Sequence, residues 1–183
     1  ANPVAIVDET ADLAKAAKDI SDGASFDNNI MCISEKCIVA VESIVPAFVK
    51  QLEENGVYYI DNETEMLQLT KTVLNHDMKM VRKMEGKSAM DILEEAGIHP
   101  NRPVRLVVVR TFAKHPLVLE ECLMPVVPLV AVADFEEALE TALFTEQGYR
   151  HTAMVHSQCI DRLSKAAKIM NTTVFIKNGS SLA

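Results

Sequence analysis

Two periods alternate along this chain, and the switches between them mark its elements. Short apolar, β-branched runs recur at 3–7, 37–41, 57–60, 105–109, 129–132, 152–155 and 173–177. Runs of that kind, apolar without alternation, suit strands buried on both faces of a parallel sheet. Between them the apolar positions fall at helical spacing. Ile44, Ala47, Phe48 and Leu52 predict a helix over 44–54 closed by Asn55-Gly56, and Met66, Leu69, Val73 and Leu74 predict one that opens on Asn62-Glu63-Thr64-Glu65. Further helices are expected over 11–21, with Asp8-Glu9-Thr10 as its capping residues and Gly23 as its stop, over 88–97, over 134–147 with Asp134 as cap and Gly148 as stop, and over 157–170. Pro125 and Pro128 hold a regular central strand back until about 129. Residues 75–87 show no clear period, 99–103 and the stretch after Lys114-His115-Pro116 read as loops, and 178–183 read as a loose end. Strands that alternate with helices throughout give an α/β fold, a mostly parallel sheet with helices on both faces, and no repeat or linker divides residues 1–183.

Composition narrows the partners. A chain of 183 residues that is 49% hydrophobic can bury one ordinary core. A formal charge of −8 with scattered lysines and arginines argues against nucleic acid and anionic membrane surfaces, leaving small metabolites or proteins. No apolar run approaches the roughly 20 residues of a membrane span, and the first residues lack the basic and then apolar plan of a signal peptide, so a soluble, cytoplasmic chain is expected. The cysteines, at 32, 37, 122 and 159, form no Cys-x-x-Cys pair, and no cysteines or histidines have metal-ligand spacing, so reduced thiols and no metal are expected. The six glycines stand alone, which leaves no Gly-rich turn for a dinucleotide or a P-loop for a triphosphate.

Three of the cysteines, Cys37, Cys122 and Cys159, sit in apolar or helical patterns and read as buried small hydrophobes. Cys32 differs. It follows the polar, turn-prone stretch 23–29 and precedes the β-branched run at 37–41, a loop leading into a strand. Backbone N–H groups in such a loop can stabilise a thiolate, the form in which cysteine is nucleophilic. Spacing alone favours a structural thiol here, and an Asn28-Asn29 pair reads first as turn residues accepting backbone bonds.

The wording around the cysteine changes that balance. Ser25-Phe26-Asp27-Asn28-Asn29, then Cys32, then Ser34-Glu35-Lys36 resembles the active-site motif of the CoA-acylating aldehyde dehydrogenases, especially the propionaldehyde and acetaldehyde enzymes of propanediol and ethanolamine breakdown. Residues 2–12, Glu120-Glu121-Cys122-Leu123-Met124-Pro125 and His151-Thr152-Ala153-Met154 resemble further segments of that family, so the likeness covers essentially the whole chain. It implies an aldehyde-dehydrogenase-like catalytic domain in which Cys32 attacks a short aliphatic aldehyde, hydride passes to NAD, and the thioester on Cys32 passes to coenzyme A. It further implies Glu121 on the ribose of the nicotinamide, His151 moving a proton during thiol exchange, and the backbone N–H of Cys32 as one oxyanion donor. The family's NAD-binding domain is expected to be absent from this chain, which should then not oxidise aldehyde alone. Homo-oligomers of the full-length enzyme, and a place inside a bacterial microcompartment, are implied as well. Two other classes stay open: a non-catalytic α/β interaction module with Cys32 buried, and a Cys-dependent hydrolase using Cys32 and His151.

Overall fold

The computed structural model describes residues 1–182. Its elements run β1 (Val4–Val7), α1 (Leu13–Ser25), β2 (Cys37–Val41), α2 (Val45–Glu54), β3 (Val57–Ile60), α3 (Glu63–Val73), α4 (Ala89–Glu95), β4 (Leu106–Thr111), α5 (Pro116–Leu119), β5 (Val126–Val132), α6 (Phe135–Glu146), β6 (Thr152–His156), α7 (Ile160–Met170) and β7 (Val174–Lys177). The seven strands form one sheet in the order β3-β4-β5-β2-β1-β6-β7, and every pairing is parallel.

Strand residues alternate between the two faces, so each apolar run feeds two cores. Ala5, Val7, Ile38, Ala40, Val108 and Leu129 pack under α1 and α2 through Ala16, Ala17, Ile20, Phe48 and Leu52. On the other face, Val4, Ile6, Val39 and Val155 meet α6 and α7 through Phe135, Ala138, Leu163 and Ala166, while Val107 and Val109 meet α3 and α4. The expected doubly covered parallel sheet is the fold observed.

Local departures have local causes. Asp12, not Asp8-Glu9-Thr10, caps α1 by accepting from the Lys15 N–H at 3.0 Å. Gly23 does not stop that helix but lies buried within it, where a Cβ would come within 2.7 Å of the Glu35 carboxylate and within 2.5 Å of the Ser181 hydroxyl. The glycine serves a close approach rather than a turn. Strand β5 runs through Pro128, because Pro128 pairs with Val109 of β4 while pairing with β2 begins only at Leu129. Its missing N–H thus falls at the start of a ladder. Residues after Lys114 form α5, with the His115 ring accepting from the Leu117 N–H, and α7 begins only at Ile160 because Ser157 is bonded to Asp8. The final stretch is tied down: Asn178 exchanges bonds with Ser157, and Ser181 is buried against Glu35. Among the described residues no helix is long and apolar enough to cross a membrane.

Candidate active site

Cys32, Glu121 and His151 all lie at the amino ends of the strands, just before β2, β5 and β6. In open parallel sheets ligands more often gather at the carboxyl ends. Here the three candidate residues stand on loops of the amino edge.

The motif explains itself in backbone angles. After α1, the turn Phe26–Asn29 places three successive residues in the left-handed region, Asp27 at φ 47, Asn28 at φ 51 and Asn29 at φ 63. Aspartate and asparagine tolerate that region better than any residue but glycine, which is why an Asp-Asn-Asn triplet stands there. Toward the backbone the asparagine amides donate rather than accept: Asn28 to the Gly86 carbonyl at 2.9 Å, and buried Asn29 to the carbonyls of Ala24 at 2.7 Å and Glu35 at 3.0 Å. A second turn follows, closed by the Ser34 N–H on the Met31 carbonyl at 3.2 Å, with Cys32 and Ile33 at its tip. Cys32 is exposed there, and among the described residues no acceptor takes its backbone N–H.

The other thiols have different surroundings. Cys37 and Cys122 are buried, and burial pushes both thiols up to about 12, which keeps them protonated and inert. Cys159 is half-buried beside the start of α7, less enclosed than its pattern suggested.

Beneath the cysteine turn lie two charged residues that pattern reading left unassigned. Lys36 is 3% exposed; its ammonium donates to the Asn29 carbonyl at 2.5 Å, to the Asn29 side-chain oxygen, and to the Cys122 carbonyl at 3.5 Å. Burial draws it down to about 8 against the upward pull chiefly of the Glu121 carboxylate. Glu35 is fully buried beside Gly23, and burial pushes its carboxyl up to about 7 despite the N–H of Ser181 at 3.0 Å and its hydroxyl at 2.8 Å. The signal was present as a Glu-Lys pair abutting an entirely apolar strand. The partners that bury it, Ser181 and Cys122, are too far along the chain to be read locally.

Three loops are thereby woven together. Asn28 holds Gly86, the Gly86 N–H donates to the Leu123 carbonyl at 2.9 Å, and Lys36 reaches Cys122. Gly86 has φ +70, and a Cβ there would stand 2.9 Å from the Ile30 side chain, so this crossing also needs glycine. The loop of Glu121 is thus brought against the loop of Cys32. Glu121 itself is one-third exposed and accepts from the Ala1 amine at 2.9 Å. Among the described residues no hydrogen bond ties His151 to this network: its Nδ1 meets the Thr152 hydroxyl at 2.8 Å, at the head of β6, with β1 between β6 and β2 in the sheet.

Comparison with known proteins bears on the family and the fold. The aldehyde dehydrogenase family's sequence model matches residues 1–182. The CoA-propanoylating propanal dehydrogenase of Salmonella typhimurium is 44% identical over 184 residues, an alignment that takes in 100% of this chain and 39% of that protein. Among solved structures, the Rhodopseudomonas palustris propionaldehyde dehydrogenase with bound coenzyme A and an acylated cysteine superposes with a TM-score of 0.95 at 40% identity, covering 98% of this chain and 41% of its own. An engineered glycolyl-CoA reductase with bound NADP+ gives the same TM-score at 41% identity, over 98% of this chain and 41% of its own. The chain therefore spans about two-fifths of the length of these relatives. With the family model matched from end to end and the sheet superposing on solved relatives, the chain belongs to the aldehyde dehydrogenase family.

Proposed function

We propose that residues 1–183 are the thiol-bearing catalytic unit of a CoA-acylating aldehyde dehydrogenase that converts a short aliphatic aldehyde, propionaldehyde-like, into its acyl-CoA. The observation that carries this reading is the contrast among the thiols: Cys32 stands exposed at the tip of a turn with its N–H unspent, while Cys37 and Cys122 are buried and pushed up to about 12. That the solved relative of R. palustris holds an acylated cysteine and coenzyme A supports it.

When bound, a nicotinamide dinucleotide supplies the hydride acceptor and coenzyme A the acyl acceptor. The residues present fit the reacting ends of both but not the whole cofactor, since the isolated glycines build no dinucleotide cradle. We assign the cofactor's main hold to another part of the whole protein. Within this chain, the Cys32 thiolate attacks the carbonyl carbon, and the C=O π pair moves to oxygen, which receives a hydrogen bond from the Cys32 N–H. Re-forming the carbonyl releases hydride and leaves a thioester on Cys32. Attack by a second thiolate on that carbonyl expels Cys32, so the acyl group moves from sulfur to sulfur and its activation is kept. Glu121, on the loop tied to the cysteine turn, is assigned to the ribose hydroxyls. His151, farther along the same edge, is assigned to the proton of the incoming thiol. We place the enzyme, as a homo-oligomer, in the cytoplasm or inside a protein-shelled microcompartment, the latter by analogy with the propionaldehyde dehydrogenase of a Clostridium phytofermentans fucose-utilisation microcompartment.

The test is a rapid quench of the whole enzyme with propionaldehyde and NAD, coenzyme A withheld. A propionyl group should accumulate on the peptide holding Cys32, and Cys32→Ala should abolish both the adduct and turnover. An adduct on another residue would overturn the assignment, and release of free propionate when coenzyme A is present would favour a hydrolase.

A further inference from the structure

Lys36 is an unusual residue to find sealed under a turn. All three of its N–H donors are committed, and every acceptor is a neutral oxygen: the Asn29 carbonyl, the Asn29 side chain and the Cys122 carbonyl. An apolar side chain of similar length would fill such a place without the desolvation cost of an ammonium. Something other than packing must keep the charge there.

Its partners suggest what. Asn29 is the last of the three left-handed residues and is itself buried, its amide spent on Ala24 and Glu35. Cys122 follows Glu121 directly. One end of the tie therefore holds the strained turn that presents Cys32, and the other holds the loop that presents Glu121. The backbone of Lys36 is anchored independently, its N–H donating to the Pro3 carbonyl at 2.9 Å between β1 and β2.

We infer that Lys36 is a positioning residue, whose ammonium pins the left-handed turn carrying Cys32 to the loop carrying Glu121. The inference rests on the reading of Cys32 as the nucleophile. It also predicts that the tie slackens in base, because a neutral amine cannot hold three acceptors at once. The ionisable groups that face it are Glu121, Cys32, Cys122 and Glu35; the first three flank the tie, Cys122 as a protonated thiol, and Glu35 sits on its far side toward α1. Of these the Glu121 carboxylate favours the ammonium most, and burial opposes it.

Two measurements decide. The first is peptide-resolved iodoacetamide labelling of the native chain with Lys36→Met, Asn29→Ala and the double variant. Each single change should alter the Cys32 labelling rate by about tenfold with Cys37 and Cys122 still protected, and the double variant should match the singles rather than multiply them. Unchanged single-variant rates, or multiplied effects, would overturn the tie. The second uses the wild-type chain alone, so it stands even if the variants unfold. In amide NMR the Asn29 side-chain NH2 and the Cys122 and Leu123 backbone signals should titrate with one midpoint near 8. Separate midpoints, or no titration between about pH 7 and 9.5, would overturn it. Failure of the underlying function reading looks different: wild-type Cys32 would label no faster than the other thiols, whatever the NMR signals do.

Discussion

The two edges of the sheet treat buried charge in opposite ways. At the carboxyl edge, Asp8 closes β1 with no exposure at all, yet its carboxylate accepts from the Ser157 hydroxyl at 2.6 Å, the Thr10 hydroxyl at 2.6 Å and N–H at 2.8 Å, and the Arg162 guanidinium at 3.0 Å. Burial pushes Asp8 up, but these bonds outweigh it and hold the carboxyl below the usual carboxylate range; hydrogen bonds to Glu9 and Asp8 raise Arg162. At the amino edge, Glu35 and Lys36 are buried with neutral partners, and each is pushed toward its uncharged form. One edge spends its polar groups on rigidity. The other keeps strained backbone and poorly compensated charge, the combination that marks reactive sites.

This contrast can be broken from either side, and the largest effect is expected at the carboxyl edge. Asp8→Ala should lower stability by about 3 to 5 kcal/mol, because it removes four hydrogen bonds to a buried carboxylate, even though Arg162 keeps Glu9. Urea unfolding measures the loss, while Cys32 labelling in the folded fraction should be unchanged; a small loss would mean that this cluster is ornamental.

Next in size is the pH dependence of Glu35. Its folded carboxyl lies near 7 against the ordinary 4.5, so the folded state holds a proton that the unfolded state has released. That contribution is complete below 4.5 and is lost as pH rises through 7, on the order of 2 to 4 kcal/mol across the window. His156, which burial draws down to about 4, works in the opposite sense between about 4 and 6.5, so the raw curves are composites. The quantity to measure is the stability of wild type minus Glu35→Gln. It should fall steadily from pH 4.5 to 7, and a flat difference would mean that the carboxyl is not held neutral by its burial.

Gly23→Ala gives a smaller test of the same edge. The added methyl meets the Glu35 carboxylate and the Ser181 hydroxyl, and overpacking of this kind costs about 1 to 3 kcal/mol even though alanine favours helix. A stabilised variant, read from thermal unfolding, would mean that the Ser181 segment does not press on the helix as described.

How much of this could be read from residues alone follows from how local each cause is. The parallel sheet was legible because every strand is an apolar run bounded by helix caps such as Asn62, Ser88 and Asp134, and all three caps stand where expected. The turn at 27–29 was legible as a turn, though not as three left-handed residues. Gly23 was misread as a stop because the reason for it, Glu35 and Ser181, comes from outside its helix. Lys36 and Glu35 were passed over for the same reason: charged residues in a loop read as solvated unless their distant partners are known. Residues 75–87, without a clear period, place Gly86 between Asn28 and Leu123, a role only the assembled fold defines.

The four thiols of one folded chain should differ sharply in reactivity. Native protein at pH 7 should be pulsed with limiting iodoacetamide, quenched and digested, and each cysteine peptide quantified by mass spectrometry. Cys32 should carry nearly all the label, with Cys159 slower and Cys37 and Cys122 silent until denaturant is added. Equal labelling of Cys32 and Cys159, or a silent Cys32, would contradict the claim that the strained amino edge presents a working nucleophile.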